Sequence, residues 1–271
     1  MKYAYIITPF LLCFSIFNVG YSQSNNYQLV WVDDFNSKKL NDKFWSFENG
    51  DGCPNICGWG NNELEYYTDN QDNARIENGI LIIEAHRQKK ENKDYTSSKL
   101  ITKNKLDWQY GKLEISARLP SGLGTWPAFW MLPTLDRPLK WPLDGEIDIM
   151  EHVGYNHGMI FGTIHTEKYN HLKGTQKSDS IRVVDVSEKF HVYGIEWTEN
   201  EITWFVDGME YNKVNIGTDD EKGWPFNQNK FYLILNLAIG GNWAGKMGVP
   251  EDIWPQRLEI DYVKYYKKIE K

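Results

Sequence analysis

Clustered positive charge is what this chain most plainly lacks. Thirty Lys and Arg stand against 37 Asp and Glu over 271 residues, for a formal charge of -7, and no Lys/Arg run appears. Nucleic-acid binding needs a basic face or stripe, so no nucleic-acid partner is expected. Long apolar runs are also missing. The longest, Ile6 to Val19, is too short and too weakly flanked for a permanent membrane span. Lys2 ahead of it and Gly20-Tyr21-Ser22 behind it give it the form of a secretory signal over residues 1–22. The mature chain is then expected to start near Gln23, in an extracellular or periplasmic compartment and free of the membrane. Leu11-Leu12-Cys13 vaguely resembles a lipid-attachment box, but it sits inside the apolar run with more apolar residues following. Lipid anchoring is therefore not expected. No repeat, low-complexity tract, Pro/Ser-rich linker or long amphipathic helix interrupts residues 23–271, which favours one domain, expected to be monomeric.

Cysteine is scarce, with 3 residues. Removal of the signal leaves Cys53 and Cys57, an even count that suggests a disulfide across a tight loop in an exported protein. Zinc is the rival, but neither a His nor a second Cys pair lies nearby. Aromatics, by contrast, are abundant: 15% of the chain, including 12 Trp and 16 Tyr. Trp is rarely buried completely, so this many suits a surface that stacks on sugar rings as well as a core. Short strand-like runs recur, among them Gln28–Val32, Ile80–His86, Lys112–Leu119, Ala128–Leu132, His191–Trp197, Phe231–Ala238 and Arg257–Tyr266. Asn78-Gly79, Ser121-Gly122 and Glu199-Asn200 mark turns between them. Ile202–Val206 and Met209–Val214 around Asp207-Gly208 read as a hairpin. Many short antiparallel strands point to a sandwich or jelly roll.

Gly145-Glu146-Ile147-Asp148-Ile149-Met150-Glu151 is the most informative segment. Acids alternate with large apolar residues, which describes a strand with Glu146 and Asp148 on one face. Strict alternation would place Met150 beside them and turn Glu151 away. A single-residue bulge at Ile149-Met150 would return Glu151 to the acidic face. Two carboxylates across a cleft are the machinery of glycoside hydrolysis, and a third between them raises the proton affinity of its neighbours. The plainer reading is an acidic strand used for ion pairing or cation binding. Like charges this close cost stability, which favours the catalytic reading.

Glu146-Ile147-Asp148-Ile149-Met150-Glu151 resembles the Glu-x-Asp-x-x-Glu signature of glycoside hydrolase family 16. Surrounding blocks resemble its laminarinase branch: Gly58-Trp59-Gly60-Asn61-Asn62-Glu63-Leu64-Glu65-Tyr66-Tyr67-Thr68, Gly124 to Leu132, Thr163 to Thr166, Phe190 to Trp197, Leu235 to Trp243 and Asp261 to Tyr265. They run in order over residues 27 to 267. The resemblance implies an all-β, curved jelly-roll sandwich with an open concave groove, and an endo-β-1,3-glucanase acting on laminarin-type glucans. It implies Glu146 as nucleophile, Glu151 as general acid/base and Asp148 as the supporting carboxylate, in a retaining mechanism that needs the two glutamate carboxyls roughly 5–5.5 Å apart. Trp126, Trp130 and Trp141 are then candidate sugar platforms, with Asn61 and His165 as further groove residues. Core packing is the alternative for Trp130, turn formation for Asn61 and a structural role for His165. Relatives often hold a structural calcium, whose positions here would be the Asp34 carboxylate, the Gly79 carbonyl and Asp261; no cofactor is needed for the chemistry. Asp34 falls where relatives usually carry the longer glutamate. Rival readings are a mixed-linkage glucanase or another family 16 polysaccharide hydrolase, a non-catalytic glycan-binding jelly roll, and a structural surface protein. A sulfated galactan would favour a more cationic cleft.

Overall fold

The computed structural model describes residues 26–217 and 223–269. The expected signal over residues 1–22, Cys13 and the start near Gln23 lie outside them. In chain order the strands are β1 (Tyr27–Asp33), β2 (Ser46–Phe47), β3 (Glu65–Tyr67), β4 (Ala74–Glu77), β5 (Ile80–Ala85), β6 (Tyr95–Ser97), β7 (Lys99–Ile101), β8 (Gly111–Arg118) and β9 (Thr125–Pro133). Then come β10 (Glu146–Glu151), β11 (Met159–His165), β12 (Lys177–Arg182), β13 (His191–Trp197), β14 (Glu201–Val206), β15 (Met209–Asn215), β16 (Phe231–Ile239) and β17 (Gln256–Lys268). One short helix, α1 (Gly241–Ala244), follows β16.

Two antiparallel sheets make a jelly-roll sandwich. The groove sheet runs β12-β11-β10-β9-β16-β7-β2, and the back sheet β15-β14-β13-β8-β17-β5-β4 with β1 also paired to β17. Among the described residues, β3 and β6 alone form a separate, parallel pair. Among the described residues no helix is long and apolar enough to cross a membrane.

β16 shows why the groove sheet has two distinct faces. All nine of its residues, Phe-Tyr-Leu-Ile-Leu-Asn-Leu-Ala-Ile, are buried. Period-2 geometry sends Leu233, Leu235, Leu237 and Ile239 into the core between the sheets. There they meet Phe129, Met131, Ile147 and Ile164 from the groove sheet and Leu113, Ile115, Tyr193, Leu258 and Ile260 from the back sheet. The alternate residues Tyr232 and Ile234 form a second small cluster with Ile101 and Leu132, against which Trp130 packs. Asn236 belongs to that alternate set and is the one polar residue of the strand.

The Asp207-Gly208 hairpin is present, with φ of 52° and 78° at the two turn residues, the positive pair a two-residue turn of this twist requires. Cys53 and Cys57 are joined by a disulfide, S–S 2.10 Å and Cα–Cα 4.2 Å.

Candidate active site

β10 carries the three acids, and its register explains how. Asp148 lies opposite Trp130 of β9 and Thr163 of β11. One step on, Met150 faces Phe129, while Glu151 faces Ala128 and Phe161, so the strand has gained a residue. This bulge tucks both Ile149 and Met150 into the core and returns Glu151 to the side of Glu146 and Asp148. From the back sheet, the Trp204 indole N–H donates to the Asp148 carbonyl oxygen at 2.8 Å, fixing the backbone where the bulge begins.

Each acid has its own partners. The Trp141 Nε1–H donates to Glu146 Oε2 at 2.9 Å. The Trp126 Nε1–H donates to Glu151 Oε1 at 3.1 Å. His165, opposite Glu146 on β11, places Nε2 3.8 Å from Glu146 Oε1 and 3.3 Å from Asp148 Oδ2. Asp148 is the most enclosed of the three, 3% exposed. Loss of water pushes its carboxyl up to about 7. Burial, then the Asp148 charge, pushes Glu146 up to about 8 against the opposing pull of His165 and Trp141. Burial, then Asp148, likewise holds Glu151 well above the usual carboxylate range. Such a group keeps protons at neutral pH and can both donate and accept them, which is the requirement for acid/base work on a glycosidic oxygen.

Trp126 and Trp141 thus do more than offer flat faces, because each spends its N–H on an acid. Two aromatics that sequence reasoning assigned no role brace Trp126: the Trp243 ring stands edge-on at 5.3 Å, itself packed on Phe161 at 5.3 Å. Trp243 lies in one of the blocks shared with the family, a signal that could have found it. His171, on the loop after β11, lies 5.0 Å from the Trp141 ring and 5.2 Å from His165. Nothing in its sequence surroundings marks it.

Trp130 lies on β9 of the same sheet, and Asn61 in the turn that precedes β3. Trp130 donates its N–H to Asn236 Oδ1 at 2.7 Å and packs on the second cluster. Asn61 shapes its turn, accepting from the Asn242 N–H at 2.7 Å, and its amide nitrogen donates to Glu63 Oε1 at 3.1 Å. A cavity of about 330 Å³ between Tyr169, Lys177, Lys213 and Trp224 contains none of the three acids.

Asp261 lies in β17 of the back sheet, while Asp34 follows its β1 and Gly79 sits in its β4–β5 turn. The pairings Asp33–Val263 and Leu81–Ile260 gather them at one region of it. Asp34 Oδ1 accepts from the Asn36 N–H at 3.3 Å and Asp261 Oδ2 from the Ser116 hydroxyl at 3.3 Å. An oxygen-only donor set of this kind fits a hard cation.

A β-sandwich that presents three proton-holding acids and indole side chains along one sheet defines a glycan-cleaving enzyme. Residues 59–264 match the model of glycosyl hydrolases family 16, and the chain belongs to that family and is a glycoside hydrolase. It is 45% identical over 278 residues to a β-glucanase of Rhodothermus marinus, covering 98% of this chain and 94% of that one. The solved laminarinase of Rhodothermus marinus superposes with a TM-score of 0.84 at 47% identity, covering 90% of this chain and 98% of that one. A family 16 non-specific endo-β-1,3(4)-glucanase, solved with 1,3-β-D-cellobiosyl-glucose at its active site, gives 0.82 at 40% identity, with 90% and 96% covered.

Proposed function

We propose that the protein is an exported endo-β-1,3-glucanase of the laminarinase type that cleaves with retention of anomeric configuration. The observation that carries this reading is the bulged β10, which lines Glu146, Asp148 and Glu151 on one face with an indole N–H on each outer acid. The names of the relatives supply the polymer. In this scheme Glu146 attacks the anomeric carbon while Glu151 protonates the departing oxygen. Glu151 then takes a proton from the water that releases the glycosyl-enzyme. Asp148, in hydrogen-bond contact with Glu146, lets that pair hold one proton between them. Attack draws on the form in which Asp148 holds it and Glu146 is the anion, with the Trp141 N–H and His165 facing the charge. Residues 23–271 act as one monomeric catalytic domain after loss of residues 1–22, and β-glucan is the only partner the chemistry requires.

The decisive measurement is reducing-sugar release from laminarin, lichenan, barley β-glucan and agarose side by side, with the anomer of the first product followed by NMR. Laminarin should be cleaved fastest, with β-product formed first. Faster release from agarose, or an α-anomer first, would exclude this reading. Comparable rates on lichenan would favour the second reading, a β-1,3(4)-glucanase, which the resemblance to the non-specific relative supports.

A further inference from the structure

Between the groove and the core, four polar side chains form a chain of hydrogen bonds in which every donor points toward Glu63. The Trp130 Nε1–H donates to Asn236 Oδ1 at 2.7 Å. Asn236 Nδ2 donates to the Tyr67 hydroxyl oxygen at 3.0 Å, and the Tyr67 hydroxyl donates to Glu63 Oε2 at 3.4 Å. From the opposite side Asn61 Nδ2 donates to Glu63 Oε1 at 3.1 Å. The polarity follows from the ends of the chain. Indole can only donate, so the Asn236 oxygen must face it; that leaves the Asn236 nitrogen for Tyr67, whose proton must go on to an acceptor.

Glu63 can be that acceptor because it is not alone. It is 7% exposed and Glu65 beside it 0% exposed, and the two carboxyls are in hydrogen-bond contact. Burial raises the proton affinity of both, and the charge of Glu63 raises that of Glu65 further. Glu65 therefore keeps a proton to give to Glu63, while its Oε2 accepts from the Ile239 N–H at 2.7 Å. The Lys99 ammonium, paired with Glu48 at 2.6 Å, lies 4.0 Å over the Trp59 ring and favours the anion.

We infer that Glu63 is a specificity-setting positioning residue, whose one carboxylate fixes both the amide orientation of Asn61 and the indole of Trp130. The inference rests on Asn61 and Trp130 being sugar contacts. With its nitrogen committed to Glu63, Asn61 has its amide oxygen left for the sugar, so this subsite selects a hydroxyl that can donate. Glu63 itself touches no substrate and acts only through its two arms.

Glu63→Gln tests this with almost no change of shape. Its NH₂ must face either the Asn61 or the Tyr67 donor, so one arm has to turn over. Tyr67→Phe cuts the Trp130 arm alone. On a laminari-oligosaccharide of fixed length, Glu63→Gln should raise KM about tenfold with kcat within about twofold, one hydrogen bond's worth of ground-state binding. Tyr67→Phe should raise KM by a smaller factor, and by the same factor in an Asn61→Ala background, because the arms are separate. If Asn61→Ala and Trp130→Phe raise KM but Glu63→Gln does not, the inference is overturned and the sugar-contact reading stands. If Asn61→Ala and Trp130→Phe leave KM unchanged, the sugar-contact reading falls and takes the inference with it. Should Glu63→Gln fail to fold, the Tyr67→Phe pair decides: an unchanged KM, or a rise that disappears in Asn61→Ala, overturns the separate-arm arrangement.

Discussion

Glu146 shows what it costs to house an acid where it can react. Its carboxyl, only 16% exposed, ionises at about 8 in the fold and near 4.5 when free. The protonated form is therefore favoured by folding. The stability this group contributes is complete below about pH 4.5 and is lost as pH rises through about 8. Glu146→Gln has no such loss. It should abolish activity by at least about a hundredfold, as should Glu151→Gln, yet be more stable than the parent by on the order of 1–3 kcal/mol at pH 8. Thermal unfolding of Glu146→Gln at pH 8 and pH 4 checks the sign: the gain should be several degrees at pH 8 and vanish at pH 4. Asp148→Asn removes the charge that raises both neighbours, so both limbs of the pH–rate profile should move to lower pH with a milder loss of rate. An unmoved profile would take Asp148 out of the proton chemistry. In the proposed mechanism Trp141 has two separable jobs, the N–H on Glu146 and a sugar platform, and two substitutions divide them. Trp141→Phe keeps a ring and loses the N–H on Glu146, so kcat should fall with KM nearly constant. Trp141→Ala also loses the ring, and the further effect should appear in KM, about 1–3 kcal/mol by analogy with other stacking platforms.

At the scale of elements, the bulge in β10 is the feature on which the arrangement turns. Deleting Ile149 restores strict alternation: Glu146 and Asp148 stay on the groove side, Met150 on the core side, and Glu151 again on the groove side. In the deletion variant the three acids still share a face, now without a bulge, so what the deletion changes is the position of Glu151 along the strand, which in the parent meets the Trp126 N–H. The Ile149 deletion should fold with an unchanged far-ultraviolet spectrum and lose at least about tenfold in kcat. An undiminished kcat would mean that the spacing, and with it the Trp126 contact, is immaterial. Much of this element was legible beforehand. The alternation of acid and apolar residues fixed the strand, and the isolated third acid required a bulge if all three were to share a face. The edge strand β12, Lys-Ser-Asp-Ser-Ile-Arg, was not legible, because it is polar on both faces and has no apolar period to read. β3 and β6 are three residues each, too short for any period. The same limit hid His171 and the Glu63 chain. Both arise from loops and strands distant in sequence, and a hydrogen bond such as Tyr67 to Asn236, 169 residues apart, leaves no local trace.

For the whole molecule, the two sheets divide the labour. The groove sheet gathers acids whose charges oppose burial, while the back sheet, paired more extensively and carrying β1 and the long β17, ties the first described strand to the last. The proposed structural calcium belongs to that second task. Its donors would come from three stretches far apart in sequence, Asp34 after β1, the Gly79 carbonyl in the β4–β5 turn and Asp261 in β17. Holding them together stabilises the folded chain and leaves the groove untouched. A site filled to about a hundred times its Kd contributes about 2.7 kcal/mol, which for a domain of this size is about 5–10 °C in Tm. Chelation should therefore lower Tm by that amount while KM and kcat on laminarin at 25 °C stay unchanged, and returned Ca²⁺ should restore it. Asp261→Asn, nearly the same shape with a weaker donor, should start at the lower Tm and no longer respond to chelator. A Tm indifferent to chelation, or an Asp261→Asn variant that still responds, would remove calcium from this place in the fold.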